Sequence, residues 1–293
     1  MNANLLSMHR PIGAILMDAG RLKPEDAARI LNLQRQQDLR FGDAAILLGV
    51  LTEDDIRFAL SHQFNYAYLP PSGDRPVSEE LIAAYQPFSH EAEQLRAIRS
   101  QLMLRWFDKE LRHAVLAIVG AGRGEGRSYV AANLAIVFAQ LGERTLLIDA
   151  DIRAPRQHAL FKLENRIGFS SILAGLAASD KAIVRIPAFA NLSVLPAGPT
   201  PPNPQELLNR RAFGELLGAA SEAYDIVLVD TSGMSSGADA NMIAVRAGAA
   251  LAVARSGKTR VAAFGELIRA LMRSGVAVVG SVLNDPPLVD TTR

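Results

Sequence analysis

Residues 115–128 read Val115-Leu-Ala-Ile-Val-Gly120-Ala-Gly-Arg-Gly-Glu-Gly-Arg-Ser128. An apolar run, Val115 to Val119, feeds a glycine-rich turn, and a helical pattern continues to Leu141. Glycines let backbone N–H groups approach phosphate oxygens, and a helix N-terminus favours negative charge, so this order of strand, loop and helix predicts a phosphate cradle. Against the P-loop pattern Gly-x-x-x-x-Gly-Lys-Ser/Thr, the last four positions fall on Glu125-Gly126-Arg127-Ser128, so Arg127 stands for the lysine and Ala121 for the leading glycine. Arginine keeps the charge but is a planar fork rather than a compact ammonium. Taken alone, the loop also reads as a glycine-rich turn without a ligand.

The following segments weigh against that plainer reading. Arg144-Thr-Leu-Leu-Ile-Asp149-Ala-Asp151-Ile-Arg153 is a buried-type strand ending in two carboxylates and an arginine. In an open parallel sheet ligands sit beyond the carboxyl ends of the strands, which places Asp149 and Asp151 beside the loop. There they can hold magnesium waters or take a proton from a hydroxyl; a helix cap and a surface acid are the alternative. Asn191 to Leu195 is a short strand, residues 196–204 form a proline-rich loop, and a helix starts at Gln205. Ile226-Val-Leu-Val-Asp230 has the form of a Walker B strand, whose acid reaches magnesium through water. Strands over Ala249 to Ala254 and Val276 to Leu283 follow, the second ending in Asn284. This alternation predicts an α/β fold, a parallel sheet covered on both faces.

Composition narrows the possibilities. In 293 residues the net charge is +1 and 49% are apolar, which predicts a globular protein without the field of a nucleic-acid binder. There are no cysteines, so disulfides and thiolate metal sites are excluded. The first ten residues lack a basic and apolar leader pattern, and no apolar stretch approaches the roughly 20 residues that span a bilayer, so a membrane role is expected only through a partner. The five histidines show no metal-ligand spacing.

The first 65 or so residues repeat with a period of 29: Gly13, Gly20, Leu22, Asp26, Leu31 and Gln34 recur as Gly42, Gly49, Leu51, Asp55, Leu60 and Gln63. Each copy reads as a short helix, a glycine stop, a helix-start signal and a second helix. This pattern resembles the N-terminal domain of type II secretion and type IV pilus assembly ATPases, one version of which binds cyclic di-GMP. The second copy carries Arg40-Phe41-Gly42, Gly49, Leu51 and Gln63, while Pro11 stands where the first copy would need its arginine. The resemblance implies a helical module over 1–68, with cyclic di-GMP at Arg40 and the repeats or a docking role without a small ligand. Residues 69–88, rich in proline, read as a linker with a helical turn inside it. Beyond it, Glu93, Arg96 and Arg99 share one face of a predicted helix.

With these motifs in order, residues 89–293 resemble the bacterial P-loop tyrosine kinases that act with polysaccharide chain-length-determinant proteins. Besides the three nucleotide motifs, Asp151-Ile-Arg-Ala-Pro-Arg-Gln-His158, Leu195-Pro-Ala-Gly198 and Pro201-Pro-Asn-Pro-Gln-Glu-Leu207 carry the likeness. The resemblance implies ATP bound by Gly122, Arg123, Gly124, Glu125, Gly126, Arg127, Ser128 and Tyr129, with Asn284 at the adenine. It implies Mg2+ at Ser128, Asp149 and Asp230, and catalysis by Asp149, Asp151 and Arg127. It further implies rings assembled through Glu93, Arg96 and Arg99, a membrane polysaccharide co-polymerase as partner, and a cytoplasmic location at the inner membrane through that partner. The chain departs from the family where Ser232-Gly233 follows Asp230-Thr231, and its last tyrosine is Tyr224, so phosphorylation of a tyrosine-rich tail is not expected. The alternatives are a catalytically weak ATP-binding scaffold and a partitioning ATPase, whose signature lysine would fall on Gly122.

Overall fold

The computed structural model describes residues 10–63, 68–69, 75–108, 110–111 and 113–285. It divides into two compact units, Met1–Ser72 and Gly73–Arg293. The first contains α1 (Ile12–Asp18), α2 (Pro24–Gln37), α3 (Phe41–Leu47) and α4 (Glu53–Gln63). Helices α1 and α3 are each followed by a glycine in the left-handed region, Gly20 (φ 69°) and Gly49 (φ 65°), where a side chain would be strained. Helix α1 packs on α4 and α2 on α3, so each copy of the repeat covers the other's apolar face. The Arg21 guanidinium joins the copies, donating to Asp55 at 3.0 Å and lying 4.1 Å from the centre of the Phe58 ring.

The second unit is built on a seven-stranded sheet. Its strands are β1 (Val115–Gly120), β2 (Thr145–Asp149), β3 (Val184–Arg185), β4 (Leu192–Leu195), β5 (Ile226–Asp230), β6 (Ala249–Arg255) and β7 (Ala277–Asn284). Their order is β3-β4-β2-β5-β1-β6-β7, parallel except for the two-residue edge strand β3. Strands β2 and β5 are buried along their whole length, as apolar runs covered on both faces must be. Their register sets Asp149 directly beside Asp230, and β1 lies on the other side of β5.

The helix that opens at the glycine loop, α7 (Arg127–Gln140), is buried almost all round rather than along one stripe. Its outer cover comes from α6 (His90–Arg105) and from residues 75–88, the second half of the segment expected to be a linker. That half is not a spacer. Val77, Leu81, Ala83 and Ala84 are buried, Ala83 N–H donates to Asn133 Oδ1, Gln140 donates to the Ala83 carbonyl, and Ser78 N–H reaches the Leu160 carbonyl. Apolar residues spaced along it outweigh its prolines, because α7 offers a surface for them to cover. Residues 82–85 form the one-turn helix α5 (Ile82–Tyr85). Further along are α8 (Gln157–Leu160), α9 (Phe169–Ala174), α10 (Ser179–Ala182), α11 (Pro204–Asn209), α12 (Arg211–Ala223), α13 (Asp239–Ala247) and α14 (Val261–Arg273). Among the described residues no helix is long and apolar enough to cross a membrane.

Candidate active site

The glycine loop connects β1 to α7 at the carboxyl end of the sheet. Gly124 (φ 72°) and Gly126 (φ 95°) both hold left-handed backbone, and a Cβ on Gly126 would overlap the Asn284 amide. Glycine is therefore required there, and α7 begins with N–H groups that no earlier helical carbonyl can accept. Beside this turn is a cavity of about 310 Å³ lined by Arg123, Gly124, Gly126, Arg127, Ser128, Asp151, Arg153, Ala154, Arg156 and Ser236. Four guanidinium groups around a helix N-terminus make it a site for a polyanion.

Behind Ser128 lie the strand-end carboxylates. Asp149 and Asp230 are fully buried. Asp149 accepts from the backbone N–H groups of Arg156 and Gln157, both at 2.9 Å. Asp230 accepts from Gln157 Nε2 at 2.8 Å and from the Ser128 hydroxyl, while its Oδ1 has no hydrogen-bond partner. Burial, and then the neighbouring Asp230 charge, pushes Asp149 well above the usual carboxylate range. Burial pushes Asp230 to about 6 against the opposing hydrogen bonds and the Arg127 charge. Two buried carboxyls at adjacent strand positions cannot both ionise cheaply unless a cation joins them. Among the described residues seven buried polar side-chain atoms make no hydrogen bond, and four of them belong to Glu125, Gln157, Asp230 and Ser232 near this place. Among the described residues no three His, Cys, Asp or Glu side chains converge on a metal position.

The residues singled out in the sequence divide into those the structure brings to the cavity and those it turns elsewhere. Asp151 lines the cavity and accepts from Ala154 N–H at 3.0 Å. Arg127 also lines it, but Nε donates to the Thr231 carbonyl at 3.0 Å and Nη1 to the Gly122 carbonyl. The Glu125 side chain does not line the cavity. It is buried beneath the loop, 3.6 Å from Arg127 and accepting from Thr259 at 2.7 Å, because a carboxylate is repelled from an anion site and attracted by the guanidinium. Tyr129 does not line this cavity. It lines a separate cavity of about 520 Å³ with Glu80, Glu91 and Asn284, and burial, reinforced by Glu91 and Glu80, raises its hydroxyl above the ordinary value. Asn284 donates to the Glu125 carbonyl at 3.1 Å and so braces the loop. In the charged stripe of α6, Arg96 bonds Glu93 and the Pro87 carbonyl, and Arg99 donates to the Val137 carbonyl, so both arginines have contacts within the chain. Arg40 is exposed at the start of α3.

Three site residues escaped the sequence reading. Gln157, fully buried, ties together Asp149, Asp230 and the Ser128 carbonyl. Asp239, also buried, holds Arg153 toward the cavity through bonds of 2.6 and 3.3 Å and raises the guanidinium's affinity for its proton. Lys258 sits against Gly124. Gln157 stands in the segment 151–158 quoted for its family likeness, but nothing in the spacing of the three residues announces these contacts.

No protein-family model matches the chain. The tyrosine-protein kinase YwqD of Bacillus subtilis is 37% identical over 72% of this chain and 88% of its own length. The chain belongs to the bacterial tyrosine-protein kinases. Its sheet unit has the fold of a P-loop kinase domain: the kinase domain of Escherichia coli tyrosine kinase ETK superposes with a TM-score of 0.68 at 32% identity, covering 74% of this kinase and 84% of that domain. The tyrosine-protein kinase wzc of Salmonella typhimurium is 35% identical over 72% of this kinase, which spans only 29% of that longer relative.

Proposed function

We propose that the sheet unit transfers the terminal phosphoryl group of ATP to tyrosine hydroxyls. The observation that carries this is the buried Asp149–Asp230 pair, with an unpartnered Asp230 oxygen, set behind Ser128 and an arginine-lined cavity. The backbone of Gly122 to Ser128, with Arg123, Arg153 and Arg156, would bind the phosphates. Ser128, Asp149 and Asp230 fit Mg2+, which usually takes one or two carboxylates and completes its shell with water and phosphate. When bound, magnesium neutralises charge on the transferring group. Asp151, at the cavity wall, would accept the tyrosine proton, and the arginines would stabilise charge on the equatorial oxygens.

The wider setting rests on the resemblance. The kinase would work in the cytoplasm, held at the inner membrane by a polysaccharide co-polymerase, and would self-associate through Glu93, Arg96 and Arg99. The module over 1–68, similar to that of secretion ATPases, would bind cyclic di-GMP at Arg40 and the repeats or dock a partner. One observation favours a catalytically weak ATP-binding scaffold instead: Arg127 spends two donors on loop carbonyls rather than extending into the cavity.

Calorimetric titration with Mg·ATP, repeated with Asp149→Asn and accompanied by a phosphotyrosine blot, tests this function. Binding that weakens at least about tenfold in the variant, with loss of phosphotyrosine, is expected. Tight binding without phosphotyrosine, even with the partner's cytoplasmic segment present, gives the scaffold reading; no binding at all removes both.

A further inference from the structure

Arg127 replaces the lysine of the loop, and its fork is engaged with the Gly122 and Thr231 carbonyls. The loop that follows β6, Ser256-Gly-Lys-Thr259, lies against the glycine turn and fastens it. Arg255 Nη1 donates to the Gly124 carbonyl at 3.1 Å, and Thr259 donates to Glu125 at 2.7 Å while accepting the Arg255 N–H at 2.9 Å. The next side chain in this loop, Lys258, has its ammonium at the turn itself: a Cβ built on Gly124 would stand 2.5 Å from Nζ.

This is an unusual place to leave an ammonium. The chain has five lysines, and this one faces Gly124, whose carbonyl already accepts from the Arg255 guanidinium. Lys258 is exposed, and its Nζ makes no hydrogen bond or ion pair with the described residues. A flexible lysine has three rotatable donors and ample room to swing into water, so an unpaired ammonium at a glycine turn that Arg255 already fastens gains nothing without an anion. Gly124 supplies the space, since any side chain there would meet Nζ.

We propose that Lys258 is a nucleotide-binding residue of this kinase: its ammonium reaches the phosphate chain of the bound nucleotide from the side of the β6–α14 loop and supplies the compact cation that Arg127 does not. The proposal rests on the nucleotide-binding reading given above. It also assigns the loop 255–259 to the active site, with Arg255 and Thr259 as positioning residues that seat the turn and Glu125, and Lys258 as the group that touches ligand.

The test is titration of the full chain with a fluorescent N-methylanthraniloyl ATP in magnesium, using wild type, Lys258→Met and Lys258→Arg. A charge-assisted hydrogen bond lost in the methionine variant predicts affinity lower by about ten- to a hundredfold, with most of it restored by arginine. The melting temperature of the nucleotide-free protein should be unchanged, which separates a ligand contact from a structural one. In parallel, acetylation of lysines read by mass spectrometry should show Lys258 protected by Mg·ATP while Lys23 and Lys181 react equally with and without it. Wild-type affinity in Lys258→Met, or absence of protection in a protein that binds the nucleotide, overturns the proposal while leaving the site intact. Failure of the wild type to bind nucleotide overturns the underlying reading, and the two failures are thereby distinct.

Discussion

Residues 10–63 bury nine apolar side chains and, among the described residues, no polar or charged one, whereas the sheet unit buries thirteen polar or charged side chains. Most of the thirteen, including Glu125, Arg127, Asp149, Asp151, Gln157, Asp230, Thr231, Ser232 and Asp239, crowd the carboxyl ends of β1, β2 and β5. Removing such groups from water is costly, and a fold retains them only where they are mutually satisfied or where a ligand completes them. The helical unit bears no such burden, and its interior is arranged for stability alone. The difference locates the chemistry in one unit and leaves the other as a self-sufficient module whose interactions must come from its surface.

Substituting the interior of the helical unit should affect stability and not binding. Leu16→Ala, at a fully buried position in a small core, is expected to cost about 2–5 kcal/mol and to unfold that unit. Region-resolved hydrogen exchange should show the loss confined to residues 10–63, with Mg·ATP affinity within about twofold of wild type. A parallel loss of nucleotide binding would break the comparison, because it would make the sheet unit depend on the helical one.

In the sheet unit a buried polar residue should affect activity more than stability. Asp239→Asn keeps the shape but removes the charge that fixes Arg153, and kcat is expected to fall about tenfold or more. Steady-state kinetics alongside thermal melting would check this; a large drop in melting temperature with kcat preserved would place Asp239 with the structural residues instead.

The smallest effect is in the response to pH, and its sign differs between the units. The folded pKa values of Asp149 and Asp230 lie above the unfolded value of 3.8, so their contribution is full below that value and is lost as pH rises through the folded values, for Asp230 about 6. The nucleotide-free sheet unit should therefore unfold at lower denaturant at pH 7.5 than at pH 5, and Mg·ATP should flatten the trend. In the helical unit, burial acts to raise Asp55, but bonds from the Thr52 hydroxyl and N–H, together with Arg21, outweigh it and hold the carboxyl below its ordinary value. Its contribution is present above about 4 and is lost as pH falls through the folded pKa. Denaturation curves followed region by region at both pH values would reveal these opposite slopes.

How far the sequence could be read follows from which forces are local. Strands ending in Asp149 and Asp230 were legible because an apolar run stopped by a carboxylate is a local pattern, and the register that pairs them follows from the parallel order. Both pairs of repeat helices were legible from glycine stops and start signals. The short helices α8, α9 and α10 and the edge strand β3 were not, since elements of two to six residues are held by tertiary contacts rather than by periodicity. The helix expected from Gln205 breaks at Arg210, whose backbone is extended. At the site, residue type pointed to Arg127 and Asp151, which both line the cavity, but the side-chain directions of Glu125 and Tyr129 depended on partners from the loop after β6, from α6 and from the segment before it. Gln157, Asp239 and Lys258 join the site only through chain crossovers, which no spacing encodes.

The cover that residues 77–85 lay over α7 has a consequence for anyone cutting this gene. A recombinant fragment begun at residue 89, where the composition settles into a regular helix, would strip Leu81, Ala83 and Ala84 from the outside of α7 and remove the bonds that Ala83 makes to Asn133 and Gln140. The exposed helix is the one that carries the glycine loop, so such a fragment would be expected to express as a sticky, poorly nucleotide-responsive protein. The boundary that preserves a well-behaved enzyme lies upstream of Val77.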